Sequence, residues 1–234
     1  MKCILLAAGK GTRISKSIEN VPKCTLKVGN EPLIVRTVNM LNSLNINAVL
    51  CVGYRKNVIT DLFDLNKIKV YYNPFYEVTN SIASLWFALK ELDDDVIIMN
   101  GDVFIEKDAL LELIDDKNEV VMTIDKSRIN EGDYFFGLDD NDCIVRYGKD
   151  LTVPERSGEY IGLAKISKSF LPIFNNKLAN MIEEQKYNCW WEDVLYQLTG
   201  TSNNIHTINL SNYFWREIDY IDDYEKILEY VENK

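Results

Sequence analysis

The first half of the chain alternates short apolar segments with amphipathic ones, and this alternation limits the possible folds more than any other feature. Apolar runs typical of strands lie at 2–6, 48–54, 68–73, 96–100 and 119–124. Helical patterns lie between or beside them at 32–44, 57–64, 81–92 and 107–114. Strands separated by helices of this length predict a mostly parallel sheet with right-handed crossovers.

After Asp125 the pattern changes to shorter strands separated by polar turns. Strands are predicted at 134–138, 143–148, 159–166 and 205–210, and helices at 171–184, 190–198 and 222–232. No repeat, low-complexity tract or linker divides the 234 residues. We therefore expect one α/β domain spanning 1–234: a Rossmann-like, mostly parallel twisted sheet flanked by helices, with a small mixed strand-and-helix elaboration.

A glycine-rich loop follows the first strand, in the stretch MKCILLAAGKGTR. Its spacing does not fit a P-loop, which needs Gly-Lys-Ser/Thr after a Gly and four residues. It does not fit the dinucleotide fingerprint either, because Ile14 stands where the third glycine belongs. Gly9 and Gly11 still allow backbone N–H groups to approach an anion, and Arg13 and Lys23 supply nearby cations. The alternative is a plain strand-to-helix turn.

Charge favours a small polyanion over a nucleic acid as the partner. The net charge is −10, whereas nucleic-acid binding calls for a basic face. Residues 1–36 are the exception, with seven Lys or Arg against two acids. This local positive field suits a nucleoside triphosphate, although a solvated charged loop has the same composition.

Other features of the composition limit the cellular compartment and the kind of metal site that the chain can have. No apolar run approaches the ~20 residues of a membrane span, and the first one breaks at Gly9, so we interpret it as core strand rather than signal peptide. Five cysteines without metal-like spacing favour a reducing, cytoplasmic setting. A single histidine, His206, excludes a multi-histidine metal site, whereas the many carboxylates suit Mg²⁺.

The stretch LAAGKGTR followed by Pro22-Lys23 resembles the signature of nucleotidyltransferases that join a nucleoside triphosphate to a phosphorylated small molecule, including the sugar-nucleotide pyrophosphorylases. The resemblance implies the nucleotide-diphospho-sugar transferase fold, with an NTP-binding half at 1–125 and an acceptor-binding half at 126–234. It implies Arg13 and Lys23 as catalytic cations. The implied nucleotide-binding residues are Leu6, Ala7, Ala8, Gly9, Gly11, Thr12, Asn80, Ser84 and Gly101.

Two carboxylates stand where this family holds its metal. Asp102 follows the apolar strand VIIMN, and Asp219 lies in the late motif WREID. The resemblance implies that Asp102 and Asp219 bind Mg²⁺ on the NTP phosphates and act in catalysis. From the residues alone, Asp102 is equally consistent with a helix N-cap or a turn.

The segment NSIASLW looks most like the branch of the family that uses CTP, so Asn80 and Ser84 are expected to contact the base or ribose. Asn80 is also a good helix cap. The stretches GEYIGLAKIS and YNCWWEDVLYQL resemble cytidylyltransferases that act on phosphocholine or aminophosphonates. The acceptor-binding residues are then Glu159, Tyr160, Tyr187, Trp190, Trp191 and Glu192. Carboxylates beside aromatic faces suit an alkylammonium, although aromatic residues at helical spacing are also typical of core.

The resemblance therefore implies a Mg²⁺-dependent enzyme that transfers CMP from CTP to a phosphorylated or phosphonate amino compound and releases pyrophosphate, as a monomer or homodimer. Neither a nucleic acid nor a membrane is expected as a partner. Two alternatives stay open: a sugar-1-phosphate nucleotidyltransferase that uses UTP, dTTP or CTP, and a nucleotide-binding regulatory module without turnover.

Overall fold

The structure is a computed structural model, and it describes residues 1–11, 13–14 and 21–234. The strands within these ranges are β1 (Lys2–Ala7), β2 (Lys27–Val28), β3 (Glu31–Pro32), β4 (Asn47–Val52), β5 (Lys69–Tyr72), β6 (Val96–Asn100), β7 (Val103–Ile105), β8 (Val120–Asp125), β9 (Phe135–Leu138), β10 (Ile144–Gly148), β11 (Gly158–Ile166), β12 (His206–Asn209) and β13 (Trp215–Glu217). The α-helices are α1 (Leu33–Ser43), α2 (Lys56–Thr60), α3 (Ser81–Phe87), α4 (Lys107–Asp115), α5 (Leu171–Glu183), α6 (Asp193–Tyr196) and α7 (Ile221–Glu232).

The main sheet runs in the order β12-β8-β11-β6-β1-β4-β5, and β9 and β10 continue it beside the first half of β11. The strands β6, β1, β4 and β5 are parallel, as are β8 and β12, whereas β11 runs antiparallel to its neighbours. The mixed part therefore begins after Asp125, where the pattern of the sequence changes. The expected α/β class is confirmed.

The central strand β1 is buried on both faces, which explains why it reads as a continuous apolar run. Ile4 and Leu6 pack under α3 and α5, and Cys3 and Leu5 pack under α1 and α4. Successive side chains of a strand point to opposite faces, so one short segment contributes to two cores. The carboxyl end of β1 opens into the glycine-rich loop. Among the described residues, no helix is long and apolar enough to cross a membrane.

Three predicted helices are shorter than expected. The helix predicted at 57–64 spans only Lys56–Thr60. The helix predicted at 81–92 ends at Phe87, and a 3₁₀ turn at Leu89–Glu91 follows it. The turn places Glu91 against Lys2, Lys69 and Tyr71, and these contacts favour the change of path. The helix predicted at 190–198 is confined to Asp193–Tyr196, because the Asp193 carboxylate accepts a hydrogen bond from the Trp190 amide (2.8 Å) and starts the helix there.

The strand β13 was not predicted, and it pairs with β7 in a separate antiparallel sheet. Both segments have three residues, too few for a periodic pattern. Ile218 and Phe104 pack next to this pair, in a small apolar cluster with Ile227 of the last helix. The pairing attaches the end of the chain to the loop that follows β6.

We predict that Glu91→Gln lowers the free energy of unfolding by about 2 kcal/mol at neutral pH. Burial opposes ionisation of Glu91, but Tyr71, Lys2 and Lys69 more than offset it and lower its pKa to about 2. A carboxyl whose pKa falls on folding stabilises the protein above its ordinary pKa of 4.5, and this contribution is lost as the pH falls towards 2. Urea unfolding should therefore show the difference between the two proteins narrowing over that interval.

Glu183→Gln is the matched control, because Glu183 is exposed on α5. It should leave the free energy of unfolding within about 0.5 kcal/mol of the parent. An equal loss in both variants would contradict a specific role for the Glu91 cluster.

Candidate active site

The glycine-rich loop is fixed on both sides by backbone contacts. The Tyr54 amide donates to the Ala8 carbonyl (3.0 Å), and the Gly101 amide donates to the Leu6 carbonyl (2.9 Å). Gly101 has to be glycine, because a Cβ there would lie 2.9 Å from the Cβ of Ala7. The loop and the tip of β6 therefore form one continuous wall.

Gly11 is the second position in this wall where only glycine fits. Its φ is +60°, and a Cβ would lie 2.7 Å from the aliphatic chain of Lys23. The close approach holds Lys23 across the loop. Thr12, which the sequence places among the nucleotide-binding residues, lies outside the described residues.

The two predicted metal carboxylates come together through the β7–β13 pair. Glu217 is opposite Val103 in the register, and the Ile218 amide donates to the Asp102 carbonyl (3.0 Å). Asp102 and Asp219 thus flank the same pairing, although they are far apart in the sequence. The structure brings together these two side chains as the motifs require.

Lys23 lies between the two carboxylates and is only 9% exposed. Its Nζ is 2.6 Å from an Asp219 oxygen and 3.5 Å from an Asp102 oxygen. Arg13 also pairs with Asp219, at 2.5 Å. Burial disfavours the Lys23 ammonium, but Asp102 and Asp219 outweigh that effect and raise its pKa. Lys23 therefore stays charged inside the cleft.

The carboxylates outnumber the cations at this point of the cleft. Burial raises the pKa of Asp102 despite Lys23, and the neighbouring Asp219 adds to the rise. Burial and the same two aspartates raise the pKa of Glu217. An excess of oxygen donors and negative charge fits a hard divalent cation such as Mg²⁺.

Within residues 1–11, 13–14 and 21–234, no three His, Cys, Asp or Glu side chains converge closely enough to hold a metal ion by themselves. A pair of carboxylates is nevertheless the usual protein contribution to a Mg²⁺–nucleotide site, where phosphates and water complete the coordination. The donor set therefore fits the expected metal.

One cleft of about 270 Å³ contains most of the predicted site. The predicted residues on its wall are Leu6, Ala7, Ala8, Gly9, Gly11, Arg13, Lys23, Asn80, Ser84, Gly101, Asp102, Glu159, Tyr160, Trp190, Glu192 and Asp219. Residues from both halves of the chain thus face one space.

Asn80 and Ser84 also hold the local structure of the cleft wall. Asn80 is the N-cap of α3, and its carboxamide oxygen accepts from the Ser81 amide (2.8 Å). Ser84 is buried and accepts a hydrogen bond from the Asn73 carboxamide (3.0 Å). The sequence allowed a capping role for Asn80, and the structure shows it.

Two predicted acceptor residues are placed elsewhere. Trp191 is fully buried in the core, where its indole N–H donates to Asn100 (3.1 Å), because adjacent residues of this turn face opposite sides. The ring of Tyr187 is exposed outside the cleft wall, and its carbonyl accepts from the Asn80 amide (2.8 Å). The structure therefore places neither ring on the cleft wall.

Several further residues lie on the cleft wall that were not predicted as site residues: Asp133, Tyr134, Lys149, Tyr196 and Asn100. Lys149 pairs with Asp133 (3.0 Å), which also lies 3.5 Å from Arg13. These residues come from four separate segments. Their one shared signal is a position at or next to a strand or helix end, which many other residues share.

Two buried glutamates on the cleft wall, Glu159 and Glu192, differ in their charged neighbours. Burial raises the pKa of Glu159 to about 7, although Arg128 lies 2.9 Å away and the Asp133 amide donates to it (2.8 Å). Burial raises the pKa of Glu192 to about 8. Glu159 thus has a cation beside it, whereas Glu192 has no ion-pair partner among the described residues.

The fold and the cleft together define a nucleotidyltransferase: a phosphate loop at a strand end, two cations and a carboxylate pair face one space. The MobA-like NTP transferase domain matches residues 3–188. The chain therefore belongs to that family and is an enzyme of the nucleotidyltransferase class, as the resemblance implied.

The most similar relatives include CTP:phosphoglutamine cytidylyltransferase of Campylobacter jejuni, 28% identical over 98% of this chain and 100% of the relative. The bifunctional protein GlmU of Methanococcus aeolicus is 25% identical over 93% of this chain, which spans about half (51%) of that protein. Among solved structures, CTP:phosphocholine cytidylyltransferase from Streptococcus pneumoniae (LicC) has a TM-score of 0.80 with 20% identity over 98% of both chains. The structural likeness confirms the fold.

We predict that Gly11→Ala weakens NTP binding by about tenfold or more. The new Cβ displaces Lys23, and the left-handed backbone costs about 1 kcal/mol of stability. Isothermal titration with CTP and Mg²⁺ measures the affinity.

Gly200→Ala is the matched control, because Gly200 has φ +70° and open space around it. It should lose similar stability and bind CTP like the parent. Equal affinities in the two variants would contradict the role of the Gly11–Lys23 contact.

Proposed function

We propose that this enzyme transfers CMP from CTP to a phosphorylated or phosphonate amino compound and releases pyrophosphate. The observation that carries the proposal is that one cleft has two ends with different side chains. The nucleotide end has the glycine-rich loop, Lys23 and the aspartate pair, and the acceptor end has buried glutamates among aromatic rings. The full-length likeness to a CTP:phosphoglutamine cytidylyltransferase supports this choice of substrates.

At the nucleotide end, the backbone amides of residues 8–11 and the Arg13 guanidinium would hold the β- and γ-phosphates. Lys23 would bridge the α-phosphate and the incoming phosphate. Both cations pair with Asp219 at present, so they are already positioned within reach of a triphosphate in the same space. Asn80 and Ser84 would face the base or ribose.

Asp102 and Asp219 would hold Mg²⁺, which would neutralise charge on the triphosphate. The acceptor phosphate is already ionised near neutral pH, so its oxygen can attack the α-phosphorus without a general base. A new P–O bond forms as the bond to pyrophosphate breaks. Rigid placement of the cations before the reaction is then the main contribution of the chain.

No covalent enzyme intermediate is needed. Of the five cysteines, Cys24 is at the cleft wall, and burial raises the pKa of its thiol. A thiol that stays protonated is a poor nucleophile. We assign no catalytic role to any cysteine.

The NTP-binding and acceptor-binding halves, 1–125 and 126–234, would not act as independent units. Asp219 comes from the second half but contacts Arg13 and Lys23 of the first. Glu192 of the second half would receive the amino group of the acceptor. A break between the halves would therefore separate the metal pair.

The test is pyrophosphate release with Mg²⁺ and each of CTP, UTP, dTTP and ATP. The acceptors are phosphocholine, phosphoethanolamine, 2-aminoethylphosphonate, a phosphorylated amino acid and glucose 1-phosphate. We expect turnover with CTP and an amino-bearing acceptor. Turnover confined to glucose 1-phosphate with UTP or dTTP would overturn the proposal and favour a sugar-1-phosphate nucleotidyltransferase.

We predict that Asp102→Asn and Asp219→Asn each lower kcat by about 10³-fold, because each removes a carboxylate from the metal pair. Asp140→Asn, in an exposed turn, should retain parental activity. Chelation of divalent cations should abolish turnover of the parent, and added Mg²⁺ should restore it. Parental rates in either metal-pair variant would contradict the assignment.

A further inference from the structure

The Glu192 carboxylate is buried in the acceptor end of the cleft without a compensating cation. It is 6% exposed, and it accepts a hydrogen bond from the Asn100 carboxamide (3.4 Å). Among the described residues, no Lys, Arg or His forms an ion pair with it, whereas Glu159 pairs with Arg128. Burial raises the pKa of Glu192 to about 8. A buried carboxylate of this kind calls for a positively charged ligand.

A second polar group lies beside it. The Tyr160 hydroxyl is buried and interacts with the Glu192 carboxylate, to which it can donate its one proton. Burial, and next the Glu192 charge, raise its pKa, so the two groups are neighbours. The phenol oxygen keeps lone pairs that can accept a hydrogen bond from a ligand. Glu192 and Tyr160 thus present two oxygens at one point of the cleft.

The aromatic rings around this point are engaged with one another. Tyr196 stacks on Tyr134 (5.4 Å between centroids, 10° between planes) and on Tyr147 (4.6 Å, 15°). The ammonium of Lys149 lies 5.4 Å from the centroid of the Trp190 ring. A quaternary ammonium is held by open ring faces. Here the Tyr196 ring already stacks on two other rings, and Lys149 lies over the Trp190 ring.

We infer that the acceptor carries a protonated amine with free N–H groups, which donates hydrogen bonds to the Glu192 carboxylate and the Tyr160 oxygen, rather than a trimethylammonium. The inference rests on the proposed function and narrows its substrate class. A primary ammonium has three N–H donors for these oxygens, and a trimethylammonium has none. Each methyl group therefore removes a donor and adds volume against the stacked rings.

The experiment compares four acceptors that differ only in methylation: phosphoethanolamine, its N-methyl and N,N-dimethyl derivatives, and phosphocholine. Pyrophosphate release is measured with saturating CTP and Mg²⁺. We expect kcat/KM to fall along the series, by about tenfold or more overall, since hydrogen bonds to charged groups contribute that much. If the enzyme turns over phosphocholine as well as or better than phosphoethanolamine, the inference is overturned. The cytidylyltransferase proposal would still stand in that case.

Two variants assign the effect to the named groups. Glu192→Gln should lower kcat/KM for phosphoethanolamine by about tenfold, mainly through KM. It should lower kcat/KM for phosphocholine by less, because the trimethylammonium loses only the charge attraction and no N–H hydrogen bond. Tyr160→Phe should likewise reduce the ratio of kcat/KM for phosphoethanolamine to kcat/KM for phosphocholine. Glu183→Gln, on an exposed part of α5, should keep the parental ratio. An unchanged ratio in both cleft variants would contradict the assignment.

A measurement of acceptor affinity tests this inference separately from the proposed function. If none of the four compounds is turned over, their affinities are measured by calorimetry with a non-hydrolysable CTP analogue present. Tighter binding of phosphoethanolamine than of phosphocholine supports the recognition of N–H groups even then, whereas the missing turnover counts against the proposed reaction. Equal affinities, or none, would overturn the inference.

Discussion

The antiparallel pairing of Trp215–Glu217 with Val103–Ile105 is the contact on which the candidate active site depends. It closes a very long loop, and such closure costs conformational entropy that local contacts have to offset. Burial of Phe104 and Ile218 in one apolar cluster supplies part of that stabilisation. Once the strands pair, Asp219 lies beside Asp102, and Lys23 is within reach of both.

Positive and negative side chains are unevenly distributed along the cleft that results. At the proposed nucleotide end, Arg13 and Lys23 both pair with Asp219, and this shared carboxylate reduces the repulsion between the two cations. At the acceptor end, Glu192 and Tyr160 have unused hydrogen-bonding capacity among rings that already stack on one another. Preorganised polar groups in a partly dry cleft are worth more than the same groups in water. The proposed reaction would place a phosphate chain at the first end and an amine at the second.

The sequence predicted whatever depends on local pattern or on matched motifs. Strands such as β1 and β6 are buried on both faces and read as apolar runs. The family resemblance selected Asp102 and Asp219 without any knowledge of β13, and the structure places these two side chains together. It could not separate Trp190, at the cleft wall, from Trp191, in the core, because neighbouring residues in a turn have no fixed period. Asp133 and Lys149 meet only through tertiary folding, so no motif marked them. Compartment and oligomeric state stay predictions.

The most direct test of the central claim follows the two ends of CTP through the reaction. CTP labelled with ³²P at the α-phosphate, and separately at the γ-phosphate, is incubated with Mg²⁺ and an amino-bearing phosphate acceptor. The account predicts that the α label appears in a CDP-linked product and the γ label in pyrophosphate. If the γ label moves to the acceptor, or is released as inorganic phosphate while the α label stays in CDP, the account is contradicted.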